Sequence, residues 1–413
     1  MSQKFWLFLE PYVFIFKGKP QNIVYNTING HYIKCTEDDH LNKIINGLLA
    51  SNSGYCLLLD ENDLANQTVC DFIFQIRNSF SGDLVNTTDV KYRPFIFRPK
   101  LKMMNDSEIK DNDDTSVNGR NILKNLHEVT VYLNASCKQS CRFCQTYYKQ
   151  FNCCTKFNNQ TDIPLNKFVE LLKRLDTAGV GKVNFILTDI SQYKDWTEII
   201  NLFPIFHFSK NLYIHCNNLS DININLLLKC TNLAQLKILI PVDAFSVFFK
   251  NSYLNLDNHN IEYQFIIDSN SNIETLENDP LFQSLNRIEW RPVYTGNNDL
   301  FFSQNIFIEF DDILNSPINK TTIFRRQVLN EHFYGRVTIF PNGDAFANVN
   351  KRKIGNVFIH SLNEIIYKEM SIEKSWFYTR DKSECRTCCN RYLCPSPSNY
   401  EFVIKKNNLC NIH

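Results

Sequence analysis

Cys137, Cys141 and Cys144 lie in the stretch Asn134-Ala-Ser-Cys-Lys-Gln-Ser-Cys-Arg-Phe-Cys144, separated by three and then two residues. Three thiolates on one tight loop can hold three corners of a [4Fe–4S] cluster, which leaves the fourth iron without a protein ligand and open to a small molecule. Zinc suits this loop poorly, because it takes four ligands and no fourth Cys or His lies nearby at conventional spacing. Cys153 and Cys154 follow, but adjacent cysteines rarely ligate one ion together. A second cysteine-rich tract closes the chain, Cys385-Arg-Thr-Cys-Cys-Asn-Arg-Tyr-Leu-Cys394, with Cys410 beyond it.

The first cysteine loop must be carried by something rigid. Apolar residues 129–133 directly precede it and read as a buried strand. From 122 to 319, strands expected at 128–133, 182–188, 211–215, 236–240, 261–267 and 287–293 alternate with helical stretches such as 165–178, 196–202 and 222–233. Six β/α units in this order imply right-handed crossovers and a parallel sheet. Loops at the C-terminal ends of such strands carry chemistry, and the Cys137 loop follows the first of them.

Ahead of this core, residues 1–104 read as short strands at 5–9, 12–16, 22–25 and 31–35 with helices at 39–49 and 61–79, a small α+β unit. Residues 105–121, NDSEIKDNDDTSVNGRN, are too polar to bury a core and read as a linker. Residues 320–413 open on a strand–turn signal, Gly335-Arg-Val-Thr-Ile-Phe-Pro-Asn-Gly-Asp344, and end in the second cysteine tract.

The chain has 413 residues, room for about two to three domains. Its 44% hydrophobic and 21% charged content is that of a globular protein. A net charge of +1 gives no electrostatic case for nucleic acid or an anionic membrane. The basic, aromatic tract 91–102 (KYRPFIFRPKLK) reads as a solvated strand and turn. The start, MSQKFWLFLEPYVFIF, is interrupted by Lys4, Glu10 and Pro11 and lacks a small-residue cleavage site, so no secretion signal is expected. Nor does any run approach the length of a transmembrane helix. Of 15 cysteines, seven sit in the two compact groups. Without a secretion signal this argues for metal binding in a reducing cytoplasm rather than a disulfide framework.

The Cys137/Cys141/Cys144 spacing, with Phe143 before the last cysteine, resembles the signature of the radical S-adenosylmethionine (SAM) enzymes, whose fold is a partial (β/α)6 barrel. The resemblance implies that the open iron chelates SAM and that one electron releases a 5′-deoxyadenosyl radical, which abstracts hydrogen from unactivated carbon. Many members carry Gly-Gly-Glu-Pro after the second strand, where it holds the SAM amino group. Here the place reads Leu187-Thr188-Asp189-Ile190. Asp189 either supplies that acceptor, as a SAM-binding residue, or caps an ordinary loop.

The C-terminal spacing resembles the SPASM extension of peptide-modifying radical SAM enzymes, which carries auxiliary Fe–S clusters. Residues 335–356 resemble its opening hairpin and Gly-Asn turn. Of the cysteines the full extension needs, one falls at Ser398, another at Asn348, and none follows Gly355. The resemblance therefore implies a single auxiliary [4Fe–4S] cluster on Cys385, Cys388, Cys394 and Cys410, or a zinc site on the same four ligands. Cys389 is a bystander on this reading. Cys35, Cys56, Cys70, Cys216 and Cys230 sit in apolar contexts and read as small buried hydrophobes.

Nearly the whole chain, including Phe5-Trp-Leu-Phe-Leu-Glu-Pro-Tyr-Val-Phe-Ile15, Tyr25-Asn-Thr27 and Leu393-Cys-Pro-Ser-Pro-Ser-Asn-Tyr-Glu401, is similar to the "pseudo-radical-SAM" SPASM proteins found with GG-leader natural-product precursor peptides. Many of those have lost the three-cysteine loop that this chain keeps. By order and size the first region resembles a winged-helix leader-binding domain; a structural extension of the core is the alternative. The resemblance implies a cytoplasmic maturase with two [4Fe–4S] clusters and SAM, served by a reductant such as flavodoxin or ferredoxin. It would act on a ribosomal precursor peptide whose leader adds as a strand to a sheet edge. The alternative is a catalytically silent Fe–S scaffold for another maturase. The type of modification is not written in the sequence.

Overall fold

The computed structural model describes residues 3–50, 52–90, 92–97, 99, 121–135, 137, 141, 144–155, 162–188, 190, 193, 195–219, 227, 231–250 and 260–412. The expected linker at 105–121 falls outside these but for its last residue, and so do eight of the twelve residues of the helix expected at 222–233.

Alternating side chains build the central sheet. In strands β7 (Glu128–Tyr132), β8 (Lys182–Leu187), β9 (Ser209–His215), β10 (Gln235–Pro241), β11 (Ile261–Ile267) and β12 (Ile288–Pro292), every second residue, Lys210 of β9 excepted, is Val, Ile, Leu, Phe or another large apolar group. Val129, Val183, Leu212, Leu236 and Phe265 represent that face, and all are buried in one core. Helices cover it. The helix Leu165–Thr177 buries Phe168, Leu171, Leu172 and Leu175, spaced at three to four residues as one helical face requires. The opposite face is polar toward the N-terminal ends of the strands. There buried Asn184 donates to Glu128 and Thr130, and Asn211 donates to Asn184 Oδ1 at 2.9 Å.

All neighbouring pairs from β7 to β12 are parallel. The fold is therefore mixed α/β around a mostly parallel sheet. The hairpin of the third region joins this sheet directly. β13 (Arg336–Ile339) pairs in parallel with β7, and β14 (Asp344–Phe346) and β15 (Gly355–Asn356) follow antiparallel. Among the described residues the order is β12-β11-β10-β9-β8-β7-β13-β14-β15. Gly343 makes the β13–β14 turn at φ +86°, where a Cβ would lie 2.5 Å from the Phe358 ring.

The N-terminal residues form two small sheets. One has the order β5-β1-β6, from β1 (Lys4–Leu9), β5 (Cys56–Asp60) and β6 (Gly82–Asn86); the other runs β2-β3-β4, from β2 (Val13–Phe16), β3 (Ile23–Asn26) and β4 (Tyr32–Lys34). Helix Asp39–Leu49 forms where expected, its start capped by Asp38, which accepts from Leu41 N at 2.8 Å. The stretch 61–79 is not one helix. It breaks after Glu61–Leu64 because Asn66 caps a new start, accepting from Val69 N, and Gln67–Asn78 follows. The β2-β3-β4 sheet does not stand apart: Phe14, Phe16, Ile23 and Tyr25 share a buried cluster with Ile313, Ile323, Tyr392 and Leu393.

Candidate functional site

The first cysteine loop leaves the C-terminal end of β7, as its sequence position requires. Cys137 is buried, and Cys141 and Cys144 are partly exposed. Cys144 N donates to Cys141 O at 3.1 Å, closing the turn that holds the last two together. Burial, with the neighbouring Cys137 and Cys144 thiols, pushes the Cys141 thiol up to about 11. A cation or cluster that stabilises thiolates would reverse that effect.

The sheet brings further groups to this loop. Tyr132, Ile186 and Tyr213 are successive register partners on β7, β8 and β9. They form one apolar cluster with Cys137, Leu239 and Phe340. His215, at the end of β9, places Nε2 at 3.8 Å from Cys141 Sγ. Asn218 Nδ2 stands 4.0 Å from Cys137 Sγ, and Cys154 Sγ 3.8 Å from the same sulfur. Thr188, fully buried at the end of β8, has a side-chain oxygen with no hydrogen-bond partner. Asp189 itself lies outside the described residues.

At the C-terminus, Cys385, Cys388, Cys394 and Cys410 line a single cavity of about 470 Å³. Local backbone geometry aims N–H groups at the sulfurs: Asn390 N lies 3.3 Å from Cys388 Sγ, and Ile412 N 3.3 Å from Cys410 Sγ. Arg380 stands 4.0 Å from Cys385 Sγ and is fixed by a buried ion pair with Glu401 at 2.9 Å. Burial pushes the Cys394 thiol up to about 12. Cys389 is not on the cavity wall. It is buried in the cluster around Phe16 and Tyr392, and hydrogen bonds from Cys388 and Tyr32 draw its thiol down to about 7. Among the described residues, no group of three or more His, Cys, Asp or Glu side chains is drawn together closely enough to hold a metal ion as it stands.

Where a second auxiliary cluster would need thiolates, other bonds are made. Ser398 caps the helix Asn399–Ile404 in a reciprocal pair with Glu401. Asn348 is buried; its side-chain oxygen accepts from Asn350 N at 2.7 Å, while its amide nitrogen has no partner.

Among the remaining cysteines, Cys35, Cys56 and Cys216 are buried as expected, Cys70 is half-buried with Sγ 2.9 Å from Leu64 O, and Cys230 lies outside the described residues. Sequence spacing set Cys154 aside as a ligand and did not single out His215, Asn218 or Arg380. Strand register brings His215 and Asn218 to the cysteines from 74 and 81 residues away, while Arg380 is a near neighbour of Cys385 in the chain. No described helix is long and apolar enough to cross a membrane.

No protein-family model and no curated protein matches the chain. Among solved structures it is similar to the crystal structure of Streptococcus suis SuiB bound to S-adenosylmethionine. That match covers 97% of each chain at 12% identity, with a TM-score of 0.43.

Proposed function

We propose that the chain is a radical SAM enzyme that modifies a ribosomally made precursor peptide. The observation that carries this reading is the position of Cys137, Cys141 and Cys144 on the loop that follows the first strand of a parallel sheet, where Cys144 N bonds Cys141 O. The residues present fit a [4Fe–4S] cluster with SAM beside it. Three thiols supply the donor set, the unpartnered Thr188 hydroxyl offers a buried polar contact for a ligand, and an apolar wall excludes water. When bound, the cluster and SAM supply the radical that removes hydrogen from the substrate. The protein orients them and keeps the site dry.

On this reading Cys385, Cys388, Cys394 and Cys410 hold one auxiliary [4Fe–4S] cluster, and residues 122–319 form the partial barrel. The first region binds the leader. Its support is threefold: among the described residues β5 and β6 are the edge strands of their sheet, Phe74 and Phe80 are exposed there, and so are the paired rings of Phe95 and Phe97. Flavodoxin or ferredoxin would supply electrons in the cytoplasm.

Electron paramagnetic resonance of the reduced, anaerobically reconstituted protein tests the reading. SAM should perturb the cluster signal of the wild type. It should leave unchanged the auxiliary signal that remains in Cys141→Ala. A wild-type signal indifferent to SAM would favour the silent scaffold.

A further inference from the structure

The C-terminal cavity has a wall that does not come from the C-terminal region. Lys19, Pro20 and Glu37 line it together with the four cysteines. The turn between β2 and β3 reaches there because it forms a short parallel bridge with the cysteine tract, pairing Lys19 with Cys388. Lys19 N donates to Thr387 O at 2.7 Å, and Cys389 N donates to Lys19 O at 3.1 Å. The approach is so close that only glycine fits at position 18. A Cβ there would stand 2.6 Å from both Cys389 N and Thr387 O. Tyr32 on β4 adds a hydrogen bond to Asn390 Oδ1 at 2.7 Å, and the Phe16 and Tyr392 rings pack with centroids 5.8 Å apart. These contacts hold both the N-terminal sheet and the backbone of Cys388 and Cys389.

We propose that the β2–β3 turn, residues 17–20, is part of the auxiliary metal site, which is complete only while the N-terminal sheet is docked on the cysteine tract. This rests on the reading that Cys385, Cys388, Cys394 and Cys410 hold metal. A [4Fe–4S] cluster on four thiolates is an anion, and Lys19 lines the cavity with Arg380 and Arg391, against the carboxylates of Glu37 and Glu384. The bridge fixes the carbonyl and amide flanking Cys388, so it orients a ligand without being one. The first region would thus do more than receive a peptide. It closes the site against water and chelators, and a leader seated on its sheets would act on a structure that also holds the cluster.

The test uses the full chain with Cys137, Cys141 and Cys144 all changed to Ala, so that only the auxiliary site can load. Iron, sulfide and zinc per chain, and the rate of iron loss to a chelator, are measured for this parent and for it with Gly18→Val, Lys19→Glu or Tyr32→Phe. Gly18→Val should lose most of the metal. Tyr32→Phe and Lys19→Glu, which leave the turn free to form, should release iron about tenfold faster than the parent, the usual size of an outer-shell effect. Circular dichroism and thermal melts report whether each variant is folded. Folded Tyr32→Phe and Lys19→Glu that keep their iron as long as the parent would overturn the proposal and leave the ligand assignment standing. A parent that binds no metal would overturn the ligand assignment itself, and the proposal with it.

Discussion

The imidazole Nε2 of His215 stands 3.8 Å from the sulfur of Cys141. Its Nδ1 accepts the Asn217 amide at 3.2 Å, so the proton of the neutral ring sits on Nε2, facing the thiol. Burial keeps the ring neutral, drawing its pKa down to about 4. Hydrogen bonds to cluster sulfurs raise reduction potential. His215→Ala should therefore give a more negative midpoint potential and slow SAM cleavage by about tenfold. His215→Gln, which keeps an N–H donor, should recover part of both. A potentiometric titration in which His215→Ala equals the wild type would show that the contact has no influence on the cluster.

Iron content follows from the side chains at two positions. Ser398 and Asn348 are committed to a helix cap and a turn, so reconstituted protein should hold about eight irons per chain, two clusters of four. Replacing Cys137, Cys141 and Cys144 together should leave about four. About twelve irons in the wild type would refute the ligand count, and zinc retained by the triple variant would mark the C-terminal site as structural.

Glu369 predicts a pH dependence of stability. Burial raises its carboxyl pKa from 4.5 to about 8, against hydrogen bonds from the Trp376 and Ser375 amides, and Oε2 has no partner. The folded state therefore holds the proton longer than the unfolded one. Stability is fullest below about pH 4.5 and falls as pH rises to about 8. Glu369→Gln should stabilise the protein by about 1–3 kcal/mol at pH 8 and by little at pH 5. Melting curves at the two pH values check this, and equal shifts at both would contradict it.

The Arg380–Glu401 pair, with side chains 4% and 6% exposed, anchors the arginine that faces Cys385. Breaking it on one side leaves a buried charge, so Glu401→Ala should destabilise by about 3–5 kcal/mol. The double variant with Arg380→Met should recover part of that loss in thermal unfolding. A Glu401→Ala melt that matches the wild type would show the pair to be dispensable.

Much of the fold was legible because the parallel strands carry their own signal. Apolar residues fill one face of β7 to β12, and the expected boundaries fall within a residue or two of those observed. β5 was missed although Cys56-Leu-Leu-Leu is a continuous apolar run, because so short a run suits a helix as readily as a strand; β6 has no clear pattern, and Gly82-Asp-Leu-Val-Asn86 is a strand only because β1 pairs with it. The candidate metal sites divide in the same way. Cys137, Cys141 and Cys144 announce themselves by spacing, because one loop carries all three. His215 lies 74 residues from Cys141, and strand register alone brings it there. Lys19 meets Cys388 through a bridge between opposite ends of the chain, which no local pattern encodes.

The most direct measurement is 5′-deoxyadenosine formed from SAM by anaerobically reconstituted protein with dithionite, quantified by liquid chromatography and mass spectrometry. The wild type should produce it, and Cys141→Ala, which removes one of the three thiols grouped at the end of β7, should not. Wild-type protein that carries its full iron yet forms none, with a leader-bearing precursor peptide present, would contradict the assignment as a radical SAM enzyme.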